Sequence, residues 1–295
     1  AALLDNGLKT TGPANPPVAV FADPHVLVDA PIELTLAGLG DLVSKPYCGC
    51  DWKIASLVRG EYHCEVPDRM LSVPFSQALE VFPWLANRDP DAITLLFRML
   101  LLSGLSMAVT GTSSPASGAE HLLSHYWDMM RLRDSVPLNL HGAQVGVGSV
   151  VIDRLYRRII ASDFREVEFV PNPNLGTARS EIDSSFGTLA NAVWPQWEAK
   201  LAARTERDLE RLAQHESLIK GEIERTLKVG RKVRGVLTAA GAPTEVAQLG
   251  ISLSELGAAV RQGRKIRNRY TALDVAAEFG ILDAFADDVA AESRD

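Results

Sequence analysis

Strand signals all but vanish after Asp23-Pro24, and that shift decides most of what this chain can fold into. Before it, residues 2–11 read as a hairpin turning at Asp5-Asn6-Gly7, residues 12–17 as a loop, and residues 18–21 as a short strand. After it come stretches with apolar residues at three- and four-residue intervals, punctuated by Pro and Gly. This pattern predicts helices over 31–60, 76–85, 89–110, 145–160, 201–237, 254–267 and 272–279, with Asp89-Pro90 opening the third. Residues 171–176 read as a loop, and the end of the chain as polar and frayed. The expected fold is mainly α: one multi-helical domain over 31–295, preceded by a small β start in 1–30.

A chain of 295 residues can bury a large core. Its net charge of −7 argues against a general nucleic-acid binder, which needs a basic balance. The longest apolar stretch, 92–109, is interrupted by Arg98 and reads as a buried helix rather than a membrane span. No signal-peptide pattern is read, and Cys48, Cys50 and Cys64 make no disulfide framework, so a cytoplasmic location with reduced thiols is expected. Cys48-Gly-Cys50 lacks a second ligand pair at zinc-finger spacing, and its thiols read as small hydrophobes.

Chemistry concentrates between residues 117 and 142, which hold three of the six histidines: His121, His125 and His141. Ser117 and Glu120 have capping-box spacing, which puts His121 in the first helical turn and His125 one turn later on the same face. The plainer reading of an i,i+4 pair is two polar groups on a half-exposed helix. A zinc-protease reading fails, because Leu122 stands where the general-base Glu is needed. Two imidazoles and a carboxylate with an open fourth position make a catalytic zinc site, and Asp41, four residues before Lys45, is the candidate carboxylate. His141 precedes Gly142, Gly146 and Gly148, which allow close backbone approach. Arg261, Arg264, Lys265, Arg267 and Arg269 form a basic cluster that reads as a solvated face, as do Arg154, Arg157 and Arg158.

Four segments carry a resemblance: Gly40-Asp-Leu-Val-Ser-Lys45, Pro115-Ala-Ser-Gly-Ala-Glu-His-Leu-Leu-Ser-His125, His141-Gly-Ala-Gln-Val-Gly-Val-Gly148 and Arg269-Tyr-Thr-Ala-Leu-Asp-Val-Ala-Ala277. Together they resemble the metal-binding half of the sn-glycerol-1-phosphate dehydrogenases, a branch of the dehydroquinate synthase-like, iron-alcohol-dehydrogenase-like superfamily. The resemblance runs from about residue 1 to about residue 283. It implies that Asp41, His121 and His141 are metal ligands for zinc, with iron or nickel as alternatives, and that His125 faces the substrate. Lys45 stands where some relatives have a further histidine ligand, and is expected to meet a substrate oxygen or phosphate. It further implies NAD or NADP, a small phosphorylated triose or glycerol substrate, and a homo-oligomer. Two positions depart from the pattern. Ala143 removes a hydrogen bond expected beside the site, and Ser114 replaces a common Arg.

Family members also carry an α/β nucleotide-binding half with a Gly-rich loop after a strand, and no such loop is seen here. The chain, which does not begin with Met, is therefore expected to be a C-terminal piece, with residues 1–30 a remnant and linker to that half and no turnover on its own. The competing readings are dehydroquinate synthase, a polyol or glycerol dehydrogenase, and a non-catalytic helical module that holds zinc.

Overall fold

The computed structural model describes residues 2–5, 7–12, 14–165 and 167–291. Strands β1 (Ala2–Asp5) and β2 (Leu8–Thr11) pair antiparallel with Ala2 opposite Thr11, and the connecting turn uses Gly7 at φ 80°. This is the predicted hairpin. The predicted strand at 18–21 does not form: Val18 and Phe21 are almost wholly exposed, and no described strand lies alongside to complete a ladder. Everything beyond is helical: α1 (Pro24–Asp29), α2 (Ile32–Val43), α3 (Lys45–Arg59), α4 (Val66–Val81), α5 (Pro90–Thr110), α6 (Ala119–Arg133) and α7 (His141–Ala161). There follow α8 (Leu175–Phe186), α9 (Ala190–Ala203), α10 (Glu206–Gln214), α11 (Glu216–Ala240), α12 (Leu253–Gln262), α13 (Ala272–Glu278) and α14 (Leu282–Ala291). The mainly α architecture is as expected.

Several boundaries differ from the sequence reading. The helix predicted over 31–60 breaks at Ser44, because Pro46 has no N–H to continue the ladder. The helix predicted over 76–85 begins at Val66 and tightens into a 3₁₀ turn over Phe82–Asn87. The one predicted over 145–160 starts four residues earlier, at His141. The single helix predicted over 201–237 is three, with a new start at Thr205, whose capping box with Asp208 opens α10, and another at His215. The helix predicted over 254–267 ends at Gln262 in a short 3₁₀ turn, Gly263–Lys265. The loop predicted over 171–176 gives way to α8, capped by Asn174. Part of the end read as frayed forms α14, which packs on α12 with Phe285, Ala286 and Val289 buried, while residues 292–295 lie outside the described residues.

Helix α5 starts as expected, with Asp89 accepting the Ala92 N–H at 2.8 Å. It is long and apolar enough to cross a membrane, but only one stripe of it (Ala92, Ile93, Leu96, Met99) is buried in the core. Leu101, Leu105 and Val109 are exposed, so the reading of 92–109 as a buried helix holds for one face alone.

The centre of the fold is the contact of α7 with α2 and α6. A Cβ on Gly142 would lie 1.9 Å from the Ala37 carbonyl oxygen, and one on Gly40 would lie 2.1 Å from that of Gly142. On the other side, a Cβ on Gly148 would meet the Glu120 carbonyl at 2.9 Å. Three helix backbones therefore touch without side chains between them. Asp41 beside Gly40 on α2, His141 beside Gly142 on α7, and His121 beside Glu120 on α6 are driven together by that contact.

Candidate metal centre

Helix α6 does not start as the Ser117–Glu120 spacing predicts. Its cap residue is Gly118, and the carboxylate that receives the Ala119 N–H (2.7 Å) belongs to Asp51 of α3. The other Asp51 oxygen accepts from the Ala272 N–H at the start of α13 (2.7 Å) and from the Tyr156 hydroxyl (2.6 Å). One buried carboxyl group thus pins two helix starts, and burial together with the charge of Glu120 pushes it up to about 7. Glu120 does reach back, to the Gly118 N–H (2.9 Å), while its Oε1 also takes the Cys48 thiol (3.0 Å) and His121 Nδ1 (2.8 Å). Cys48 is more than filler, since it helps to orient Glu120. Burial and Glu120 raise its pKa well above the ordinary thiol value, so it stays a thiol and a donor.

With Nδ1 committed to Glu120, His121 turns Nε2 toward Asp41, 3.2 Å from Oδ1. His141 is held in the same way. Its Nδ1 lies 2.9 Å from Ser124 Oγ, and because that hydroxyl donates to Gln144 Oε1 (2.7 Å), it accepts from the ring. Each histidine has its far nitrogen fixed by a neighbour and its Nε2 turned to the space beside Asp41, the arrangement that sets ring orientation at metal sites. The hydrogen bond thought lost with Ala143 is supplied by Ser124 and Gln144 instead. Ligand atoms of Asp41, His121 and His141 all lie within 4.8 Å of one another. One carboxylate and two imidazoles in that space fit a divalent ion such as zinc.

The charges agree with this geometry. Burial alone would raise the pKa of Asp41, but Lys45 and His121 outweigh it and hold the carboxyl far below the usual range. Burial opposes protonation of His121, yet its bonds to Asp41 and Glu120 raise its pKa. His141 is pushed down to about 3 by burial and the charge of His121, so it is neutral and ligand-ready.

Lys45 lies against the same carboxylate, with Nζ 3.1 Å from Asp41 Oδ2, but it also donates to the Ala116 carbonyl (3.2 Å) and to Ser44 Oγ (3.4 Å). It is buried and engaged on all three protons, contrary to the expectation of an ammonium free for substrate. His125 stands with its ring 6.0 Å from that of His121 and 5.4 Å from that of His141, yet outside the ligand group. It is 4% exposed, and neither ring nitrogen has a hydrogen-bond partner. Burial, then the charge of His121, keep it neutral. Lys9 of the hairpin caps this side of α6 through Asp128 (2.8 Å). Ser114 bonds Thr112 (3.1 Å) in the turn before α6. Sequence reasoning did not find Asp51, Ser124 or Gln144, because each acts through a partner distant in the chain or on a neighbouring helix.

No family model matches the chain. Among curated proteins it is 31% identical over 274 residues to a glycerol-1-phosphate dehydrogenase [NAD(P)+] of Geobacillus stearothermophilus, covering 92% of this chain and 60% of that protein. It is 37% identical over 157 residues to the enzyme of that name from Halalkalibacterium halodurans, covering 53% of this chain and 39% of the relative. With the enzyme of that name from Thermococcus sibiricus it shares 35% identity over 156 residues, 53% of this chain and 43% of the relative. The chain spans less than two thirds of the length of these relatives. Over the length it shares with them, the chain is similar to glycerol-1-phosphate dehydrogenases [NAD(P)+].

Proposed function

We propose that this chain is the metal- and substrate-binding part of an NAD(P)-linked oxidoreductase interconverting dihydroxyacetone phosphate and sn-glycerol 1-phosphate in the cytoplasm. The observation that carries the proposal is the convergence of Asp41, His121 and His141, with both histidine Nδ1 atoms tied back by neighbours. The names of the relatives supply the reaction class, and the chain's own residues supply the roles. Residues 1–30 serve as the link to a nucleotide-binding half, which is where NAD or NADP is held.

Asp41, His121 and His141 would hold a zinc ion. When bound, such an ion supplies Lewis-acid polarisation of the substrate oxygen. Lys45 fixes the second oxygen of Asp41 and lends it positive charge; with its protons shared among protein acceptors, its part is positioning. His125, neutral and with both nitrogens unpartnered, takes the hydroxyl proton in the oxidative direction and returns it in the reductive one. The packed α2–α6–α7 contact keeps these groups in register as substrate arrives.

The test is an assay of the full polypeptide that contains this segment and a nucleotide-binding half, loaded with zinc. NADH or NADPH consumption with dihydroxyacetone phosphate, giving the sn-1 rather than the sn-3 product, supports the reading. Absence of that reaction, or the sn-3 product, overturns it. Steady turnover by the 295-residue chain alone would contradict the assignment of the nicotinamide to another part of the protein.

A further inference from the structure

The basic cluster at the end of the chain is not the uniform solvated face that its composition suggests. Arg264 bonds Asp274 (2.9 Å), Lys265 pairs with Glu181, Arg261 with Asp287, and Arg269 donates to Ser113 Oγ (2.9 Å) and to the Ser117 carbonyl. Arg267 alone of the five has no acceptor among the described residues. Its Nε and Nη2 are buried and unpaired.

An unpaired buried guanidinium edge is costly, because both N–H groups have given up water without compensation. Such a group in a native structure calls for a partner that completes it, a water, an ion or a ligand. Nε and Nη2 form one edge of the guanidinium, able to make two parallel hydrogen bonds to a phosphate or carboxylate. Burial and the neighbouring charge of Arg269 lower its pKa to about 10, which leaves it cationic at neutral pH.

Its position points to the metal centre. Arg267 follows the Gly263–Lys265 turn, which packs against the first turns of α6: a Cβ on Gly263 would lie 3.4 Å from the Leu122 carbonyl. The charge of Arg267 acts on the His125 ring, whose two nitrogens are likewise buried without a partner. A buried cationic edge on the turn packed against α6 therefore acts on an unpartnered imidazole, His125, whose ring stands 6.0 Å from that of His121 and 5.4 Å from that of His141.

We propose that Arg267 binds the phosphate monoester end of the substrate, taking two of its oxygens on the Nε–Nη2 edge while the other end lies at Asp41, His121 and His141. This rests on the function proposed above, but it makes a separate claim about one residue.

The probes are inorganic phosphate, glycerol 1-phosphate and unphosphorylated glycerol, titrated by calorimetry into the purified, zinc-loaded chain and its Arg267→Gln and Arg267→Lys variants. The Gln variant should keep its zinc and lose on the order of 10- to 100-fold in affinity for glycerol 1-phosphate, the range of hydrogen bonds to a charged group. Inorganic phosphate binding should weaken with it, and any glycerol affinity should not change. The Lys variant, keeping the charge without the fork, should fall between Gln and the parent, and it provides the reading if the Gln variant fails to fold. Equal affinity for glycerol 1-phosphate in parent and variants overturns the proposal, as does a parent that binds no phosphorylated probe. A phosphate loss in Arg267→Gln, in a protein that never interconverts dihydroxyacetone phosphate and glycerol 1-phosphate, would instead retain this site and sink the assigned reaction.

Discussion

Two of the charge clusters buried among the described residues, those around Asp274 and Asp41, differ in what they leave unfinished. Around Asp274 every bond is closed: Lys200 Nζ touches both carboxylate oxygens at 2.9 Å and the Arg264 carbonyl at 2.8 Å. Arg264 takes one Asp274 oxygen (2.9 Å) and the Thr271 N–H the other (2.9 Å). Around Asp41 the far sides are just as carefully bonded, through Glu120, Ser124 and Lys45, but the near sides face one another or face nothing. Burial of charge is thus common to scaffold and site. What marks the site is a rigid rear and an unsatisfied front.

That contrast sets the expected effects of perturbing each cluster. The largest effect on folding should come from Asp274→Ala, which strands Lys200 and Arg264 without their anion and should cost about 3–5 kcal/mol by urea unfolding, the range for breaking a buried pair. The folded fraction should still take up one zinc per chain. Loss of zinc with unchanged stability would mean that the two clusters have been assigned the wrong way round.

Next in size is zinc itself. With free zinc at a hundred times its dissociation constant, the chain should gain about 2.7 kcal/mol over the chelated form. Asp274→Ala should show the same zinc-dependent increment as the parent, and Asp41→Ala should show none. An increment surviving in Asp41→Ala would place the ion elsewhere.

Smaller again is the effect of the rear support. Ser124→Ala removes the acceptor that orients His141 and should weaken zinc binding about 10- to 100-fold, the range for losing such an outer partner. It should leave unfolding of the zinc-free chain nearly unchanged. Competition with a chromophoric chelator reads the affinity, and an unaltered value would show that His141 needs no such help.

The sequence made the front of the site legible and hid the rear. Asp41, His121 and His141 stand in short motifs, and the glycines beside two of them already implied backbone contact, which Gly40 and Gly142 now show. Asp51 could not be read this way, because the helix starts it caps lie 68 and 221 residues away. Arg267 was lost in a run of like charges, since only the placement of Glu181, Asp274 and Asp287 shows which of its neighbours are already neutralised. Among the helices, periodicity ran unbroken through His215, where the chain nonetheless starts a new axis. The caps at Thr205 and Asn174 were legible signals that composition masked. At 18–21 local propensity favoured a strand, but propensity cannot provide a partner.

The central claim is that His121 is a ligand and His125, one turn on, is not. Zinc content measured beside turnover, for His121→Ala and His125→Ala in the full polypeptide, tests it most directly. The account predicts that His121→Ala retains no stoichiometric zinc, while His125→Ala retains it fully and turns over about 10²–10⁴-fold more slowly, the range for losing a general acid–base group. Loss of zinc from His125→Ala as complete as from His121→Ala would contradict it, and so would a His125→Ala protein with full zinc and full rate.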